Sequence, residues 1–243
     1  MDLTVAPPGG WPTPDAAYVH VPFCRHRCGY CNFSVIADRD ELIDRYLDAI
    51  DLELQALGRP LVSTVFLGGG TPTHLPNGKL AGLLEIIADR FQFDRNIEWS
   101  IEANPEDLTR DKVDLLEAHG VNRVSLGVQS FHQEKLQLLE RGHSGKVAAN
   151  AIELVADRIK NVSLDLIFGA PGESVEQWRS DVATAMKLPI RHLSTYALTF
   201  EKGTQFWNRR LHGTMKEVDE SDEVEMYNVA RALTREAVSY THL

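Results

Sequence analysis

Three cysteines stand within eight residues, in Tyr18-Val-His-Val-Pro-Phe-Cys24-Arg-His-Arg-Cys28-Gly-Tyr-Cys31, and they are the only cysteines of the 243-residue chain. An odd number so tightly spaced does not make a disulfide framework, and in a reducing compartment such a cluster is more often a metal site. Three thiolates on one short loop can converge on one inorganic centre. A four-iron, four-sulfur cluster normally takes four thiolates; with three, one iron stays open for a non-protein ligand. The spacing alone also admits a structural zinc site in which His26 supplies the fourth ligand.

Other residues could join such a centre. Phe66-Leu-Gly68-Gly69-Gly70-Thr71-Pro72-Thr73 holds three consecutive glycines. Glycines let a backbone adopt positive φ and approach a ligand closely, and carbonyls exposed there could accept from an ammonium group. Glu102 lies in Ser-Ile-Glu-Ala-Asn-Pro, Gln129 in Gly-Val-Gln-Ser-Phe, and Arg141 in Leu-Leu-Glu-Arg-Gly-His143. Asp165 interrupts the apolar run Val162-Ser-Leu-Asp-Leu-Ile-Phe-Gly, where a carboxylate needs a partner if it is buried. Each of the four could instead be a solvated or capping polar residue.

The elements that must position these residues alternate along the chain. Apolar, β-branched runs predict strands at 18–21, 64–67, 98–102, 123–127, 162–167 and 192–198. Helical periodicity at 40–57, 79–90, 110–119, 146–157 and 175–187 predicts five crossover helices. In the first of these Leu42, Tyr46, Ile50, Leu54 and Leu57 make an apolar stripe, and Gly120 stands where the third would be capped. Such alternation predicts parallel strands joined by right-handed crossovers, with the site at the strands' C-terminal ends. The expected fold is α/β, a partial (β/α)6 barrel spanning 16–204. Residues 1–15 read as a loose leader. Residues 205–243, with an amphipathic stretch at 224–237, read as the start of a C-terminal accessory region that looks incomplete.

Composition sets bounds. Lys and Arg number 25 against 35 Asp and Glu, a net charge of −10, and no basic patch stands out, which disfavours a nucleic-acid partner. No stretch approaches the ~20 apolar residues of a membrane span. The first residues lack the basic and apolar regions of a secretory signal, so a cytoplasmic location is expected.

The cysteine spacing, with an aromatic residue before the last cysteine, together with the glycine-rich motif, resembles the radical S-adenosylmethionine (SAM) superfamily. Over roughly residues 17–237 the chain is similar to the oxygen-independent coproporphyrinogen III dehydrogenases and their relatives, the HemW-type heme chaperones. The resemblance implies that Cys24, Cys28 and Cys31 ligate a [4Fe-4S] cluster. It implies that Tyr18, Tyr30, Gly69, Gly70, Thr71, Glu102, Gln129, Arg141, Asp165 and Ala197 contact SAM. Arg141 would meet the methionine carboxylate, and Gln129 and Asp165 the ribose hydroxyls. It further implies that the open iron chelates SAM, that one electron cleaves the sulfonium, and that a 5′-deoxyadenosyl radical abstracts hydrogen from a substrate.

Two branches differ near the cluster. The dehydrogenase carries a further cysteine two residues after the third; here that position is Phe33. Cys31-Asn32-Phe33 and Gly142-His143 resemble the chaperone branch, which implies heme as cargo, heme-accepting apoproteins as partners and an electron donor. The alternatives are a porphyrinogen dehydrogenase and, from a different class, a zinc-stabilised β/α protein without redox chemistry. The chaperones continue into a further domain with a His-Asn-x-x-Tyr-Trp segment that this chain lacks, so no heme ligand is carried over, and His212 and His242 read as surface residues.

Overall fold

The structure, a computed structural model, describes residues 14–237. Most of the expected leader, and His242, lie outside the described residues. The strands are β1 (Ala16–Val21), β2 (Phe23–Cys24), β3 (Ile36–Ala37), β4 (Leu61–Gly69), β5 (Gln92–Ala103), β6 (Arg123–Gln129), β7 (Asn161–Phe168) and β8 (His192–Ala197). Six of them form one sheet in the order β1-β4-β5-β6-β7-β8, every neighbouring pair parallel. β1 and β8 are its edges, so among the described residues the barrel is left open. β2 and β3 make a separate two-stranded pairing that brackets the cysteine loop.

Crossover helices cover one face: α1 (Ile43–Gln55), α2 (Asn77–Arg90), α3 (Arg110–Ala118), α5 (Gly145–Ala156) and α6 (Val175–Ala185), with the short α4 (Gln133–Leu138) before α5. All five expected crossover helices and all six expected strands of the sheet are present. The strands send an apolar side chain toward these helices at every second position over much of their length. Val65 and Leu67, Trp99 and Ile101, Val124 and Leu126, Val162 and Leu164 point into one core with Leu83, Ile87, Leu116, Ile152 and Trp178. Each such large side chain removed from water contributes roughly 2 kcal/mol. The helix starts are set by side chains: Ser144 accepts from the N–H of Val147, and Ser174 with Gln177 closes a capping box, each device worth about 1 kcal/mol.

β5 is longer than its apolar run predicts. Its polar first half pairs with the start of β4, Leu61 beside Gln92 and Val62 beside Phe93, across a register shift. Backbone pairing there overrides an unremarkable local pattern. After residue 204 come α7 (Gln205–Leu211) and α8 (Glu220–Ala237). α8 packs on α6: the indole N–H of Trp178 donates to the carbonyl of Met226 at 2.7 Å, and Met226, Val229 and Ala230 are buried. No helix among the described residues is long and apolar enough to cross a membrane.

Candidate functional site

The C-terminal ends of the strands surround a cavity of about 540 Å³. Cys24, Cys28 and Cys31 line it, as do Tyr30, Gly69, Gly70 and Thr71. So do Glu102, Gln129, Arg141, Asp165 and Ala197. Of the thirteen residues expected at the site, Tyr18 alone does not line this cavity. It stands on β1, exposed, its hydroxyl 3.1 Å from His20 Nδ1 and its ring stacked on Phe66 with centroids 6.0 Å apart.

The glycine-rich loop is held by its N–H groups. Gly69 N donates to Glu102 Oε2 at 3.0 Å, Gly70 N to the Val21 carbonyl and Thr71 N to the Phe23 carbonyl, both at 2.7 Å. With these donors consumed, the loop offers a ligand acceptors. Gly70 is obligatory: a Cβ there would lie 2.6 Å from the Phe23 carbonyl oxygen and 2.8 Å from Pro22 backbone atoms, which cannot swing aside. Gly69 has φ +107°, a conformation that side chains rarely adopt. Buried Lys112 donates to the carbonyls of Thr73 and Leu75, fixing the far end of the motif; burial pulls its pKa down.

Arg141 is the densest junction. Its Nη2 donates to Asn104 Oδ1 and, at 2.9 Å, to the Gly127 carbonyl, while Nη1 lies 3.7 Å from Cys28 Sγ. Burial works against its charge, but the Tyr30 hydroxyl, Cys28 and Glu106 outweigh that and raise its pKa. Its Nε is buried without a hydrogen-bond partner among the described residues. Asn104 also donates to Thr71 Oγ1 at 3.1 Å, tying the arginine to the glycine-rich loop. Glu106 holds His143 Nδ1 at 3.0 Å, and His143 Nε2 meets the Val128 carbonyl at 3.0 Å. Sequence reasoning missed Asn104, Glu106 and Lys112; the Ala-Asn-Pro turn after Glu102 was the one available signal.

The carboxylates are strained electrostatically. Burial pushes Glu102 up to about 7, against the Gly69 N–H that favours its charged form. Burial likewise raises Asp165, although Ser194 and Ser125 hydrogen-bond it, Ser125 Oγ at 3.1 Å. Gln129 ends β6 at φ +67°, where the register against β7 shifts; the bulge aims its side chain into the cavity.

Three thiols line one cavity, the donor set of a cluster that leaves one iron without a protein ligand. Burial raises Cys24 and Cys31, opposed in part by the Thr71 hydroxyl at Cys24 and the Phe33 backbone at Cys31. Among the described residues no three His, Cys, Asp or Glu side chains converge as a ready site for one metal ion. A zinc ion must gather its sulfurs at about 2.3 Å from one atom, whereas a four-iron cluster gives each thiolate its own iron. His26 lines the same cavity, but its Nε2 is taken up by Glu140 Oε2 at 3.1 Å and its side chain is 54% exposed. As a fourth zinc ligand it would have to give up that partner. His212 is exposed and bonds its own helix at Asn208.

The profile of the radical SAM superfamily matches residues 18–185. The chain belongs to the radical SAM superfamily. This radical SAM chain is 36% identical over 220 residues to the heme chaperone HemW of Bacillus subtilis, covering 88% of the chain and 58% of the relative. It is 40% identical over 227 residues to the heme chaperone HemW of Mycobacterium tuberculosis, covering 90% and 58%. Among solved structures it resembles coproporphyrinogen III oxidase (HemN) of Escherichia coli, a radical SAM enzyme, with a TM-score of 0.83 and 27% identity over 92% of this chain and 53% of that one. The chain thus spans somewhat more than half the length of these relatives.

Proposed function

We infer that the chain binds a [4Fe-4S] cluster through Cys24, Cys28 and Cys31 and seats SAM beside it, as the cluster-bearing part of a heme chaperone. The observation that carries this is the meeting of three thiols, a donor-saturated glycine loop and the Arg141 side chain around one cavity. Such a cluster, when bound, supplies one-electron chemistry and an iron with a free coordination position. The residues around it divide the work of holding SAM. Arg141 presents a charged fork for a carboxylate. Glu102 and the loop carbonyls face the place of an ammonium group, while Gln129 and Asp165 can meet ribose hydroxyls.

The chaperone reading, with heme as cargo, apoproteins as acceptors and an electron donor as partner, is supported by the names of the curated relatives. Phe33 supports it too, since it lines the cavity where the dehydrogenase branch has a cysteine. A cytoplasmic location suits three unpaired thiols. The likeness to HemN favours a second reading, a porphyrinogen dehydrogenase.

Anaerobic reconstitution with iron and sulfide tests the core of the proposal. The expected product is brown, carries four irons and binds SAM in calorimetry; Cys28→Ala is expected to fold but take up no cluster. A colourless, zinc-loaded protein sinks the proposal. Heme uptake without turnover of coproporphyrinogen III separates the chaperone from the dehydrogenase.

A further inference from the structure

The loop that carries the cysteines has little regular structure of its own between β2 and β3. One residue in it, Gly29, is pinned from both sides. Its N–H donates to Glu140 Oε2 at 2.8 Å, and its carbonyl accepts from the N–H of Phe206 at 2.9 Å. A Cβ at Gly29 would stand 2.8 Å from the Phe206 ring and 3.0 Å from Glu140 Oε1, so only glycine fits between them. Phe206 lies in the first turn of α7, which Thr204 caps, and is fully buried in a cluster with Leu139, Ile167 and Phe200, its ring edge-on to Tyr30. Arg209 of the same helix reaches Glu140 Oε1 at 3.3 Å.

Glu140 occupies this place at a local cost. Its φ is +55°, a left-handed conformation unfavourable for a residue with a side chain. The position is the left-handed residue that ends α4, closed by the Arg141 N–H on the Leu136 carbonyl at 2.9 Å, where glycine or asparagine is more usual than glutamate. The carboxylate has three partners, Gly29 N, His26 Nε2 and Arg209 Nη2, and the Glu140 carbonyl faces Cys28 Sγ at 3.9 Å.

We propose that Glu140 is a positioning residue which, with α7, clamps Gly29 and so holds Cys28 and Cys31 in place for the cluster before any metal arrives. The clamp rests on the cluster reading above but assigns a role to none of the ligands. It makes the segment after residue 204 part of the cluster site, so that whatever moves α7 also loosens the cluster.

Three variants of the full chain, reconstituted anaerobically, test it. Glu140→Gly relieves the left-handed strain and removes the acceptor. Glu140→Asn also tolerates that conformation but brings its oxygen one methylene short of Gly29. Glu140→Gln keeps an acceptor of the right length. Iron release to a ferrous chelator is expected to quicken on the order of tenfold or more in the Gly and Asn variants, with a shifted electron paramagnetic resonance signature of the reduced cluster. The Gln variant is expected to behave as the parent, and the Gly apoprotein to melt no lower than the parent apoprotein. A fold that keeps its stability while the cluster loosens is something a merely structural role would not produce. Parent-like release and spectrum in Glu140→Gly and Glu140→Asn overturn the clamp, as does a Gln variant as labile as the Gly variant. A parent chain that takes up no iron overturns the cluster reading instead.

Discussion

Val124, Leu126 and Val128 leave one side of β6 and are sealed under helices; Ser125, Gly127 and Gln129 leave the other side and line the cavity. β5 and β7 repeat the division, Ile101 against Glu102 and Leu164 against Asp165. The helix-covered face stores folding energy through apolar burial and has no chemistry to perform. The cavity face holds polar groups out of water, where burial disfavours their charge, and so draws on the stability the other face provides. Departures from good packing rules concentrate on the cavity side.

Ile101 and Glu102 are neighbours on one strand and offer the sharpest contrast. Ile101→Ala should cost about 4 kcal/mol in urea unfolding, at any pH where the protein folds, by removing a fully buried side chain. Glu102→Gln should do the reverse at pH 8. An acid raised in the folded state favours folding while neutral; for Glu102 that contribution is complete below about 4.5 and is lost as pH climbs through about 7. The glutamine cannot ionise yet still accepts from Gly69 N, so the apoprotein should gain about 3 kcal/mol at pH 8 and almost nothing at pH 4. A gain that does not grow with pH would break the account of Glu102. The same linkage makes a cationic ligand beside Glu102 bind more tightly as pH rises from 6 to 8, with proton release measurable in buffers of different ionisation heat. Ser125→Ala is the mildest test. It should cost about 1 kcal/mol or less and move the Asp165 carboxyl further up, read by carbon-13 chemical shifts; a loss as large as that of Ile101→Ala would erase the distinction between the faces.

Much of this architecture was open to reading from residues alone, for definite reasons. The six strands and five crossover helices follow from local periodicity. The cysteines, the glycine-rich motif, Glu102, Gln129 and Asp165 stand out by residue type and place, whereas Tyr18, Tyr30, Arg141 and Ala197 rested on resemblance; twelve of the thirteen line one cavity, and Tyr18, exposed on β1, does not. α4 and α7 escaped because six or seven residues show too little periodicity, although Thr204 is a cap signal for the second. Glu140 looked like an ordinary charged residue beside Arg141. Its significance lies in a positive φ and in partners 69 to 114 positions away.

The sequence by itself determined the number and spacing of the thiols, the glycines that permit close approach, and the order of strands and helices. These are local properties, set by residue type and by neighbours within a few positions. Only the tertiary structure decided that Arg141 lies against Cys28 with one nitrogen left bare, that Gly69 rests on Glu102, and that α7 closes on Gly29. Those pairs are 33 to 177 positions apart. A hydrogen bond across such a gap exists only after the sheet has brought strand ends together, so no periodicity records it.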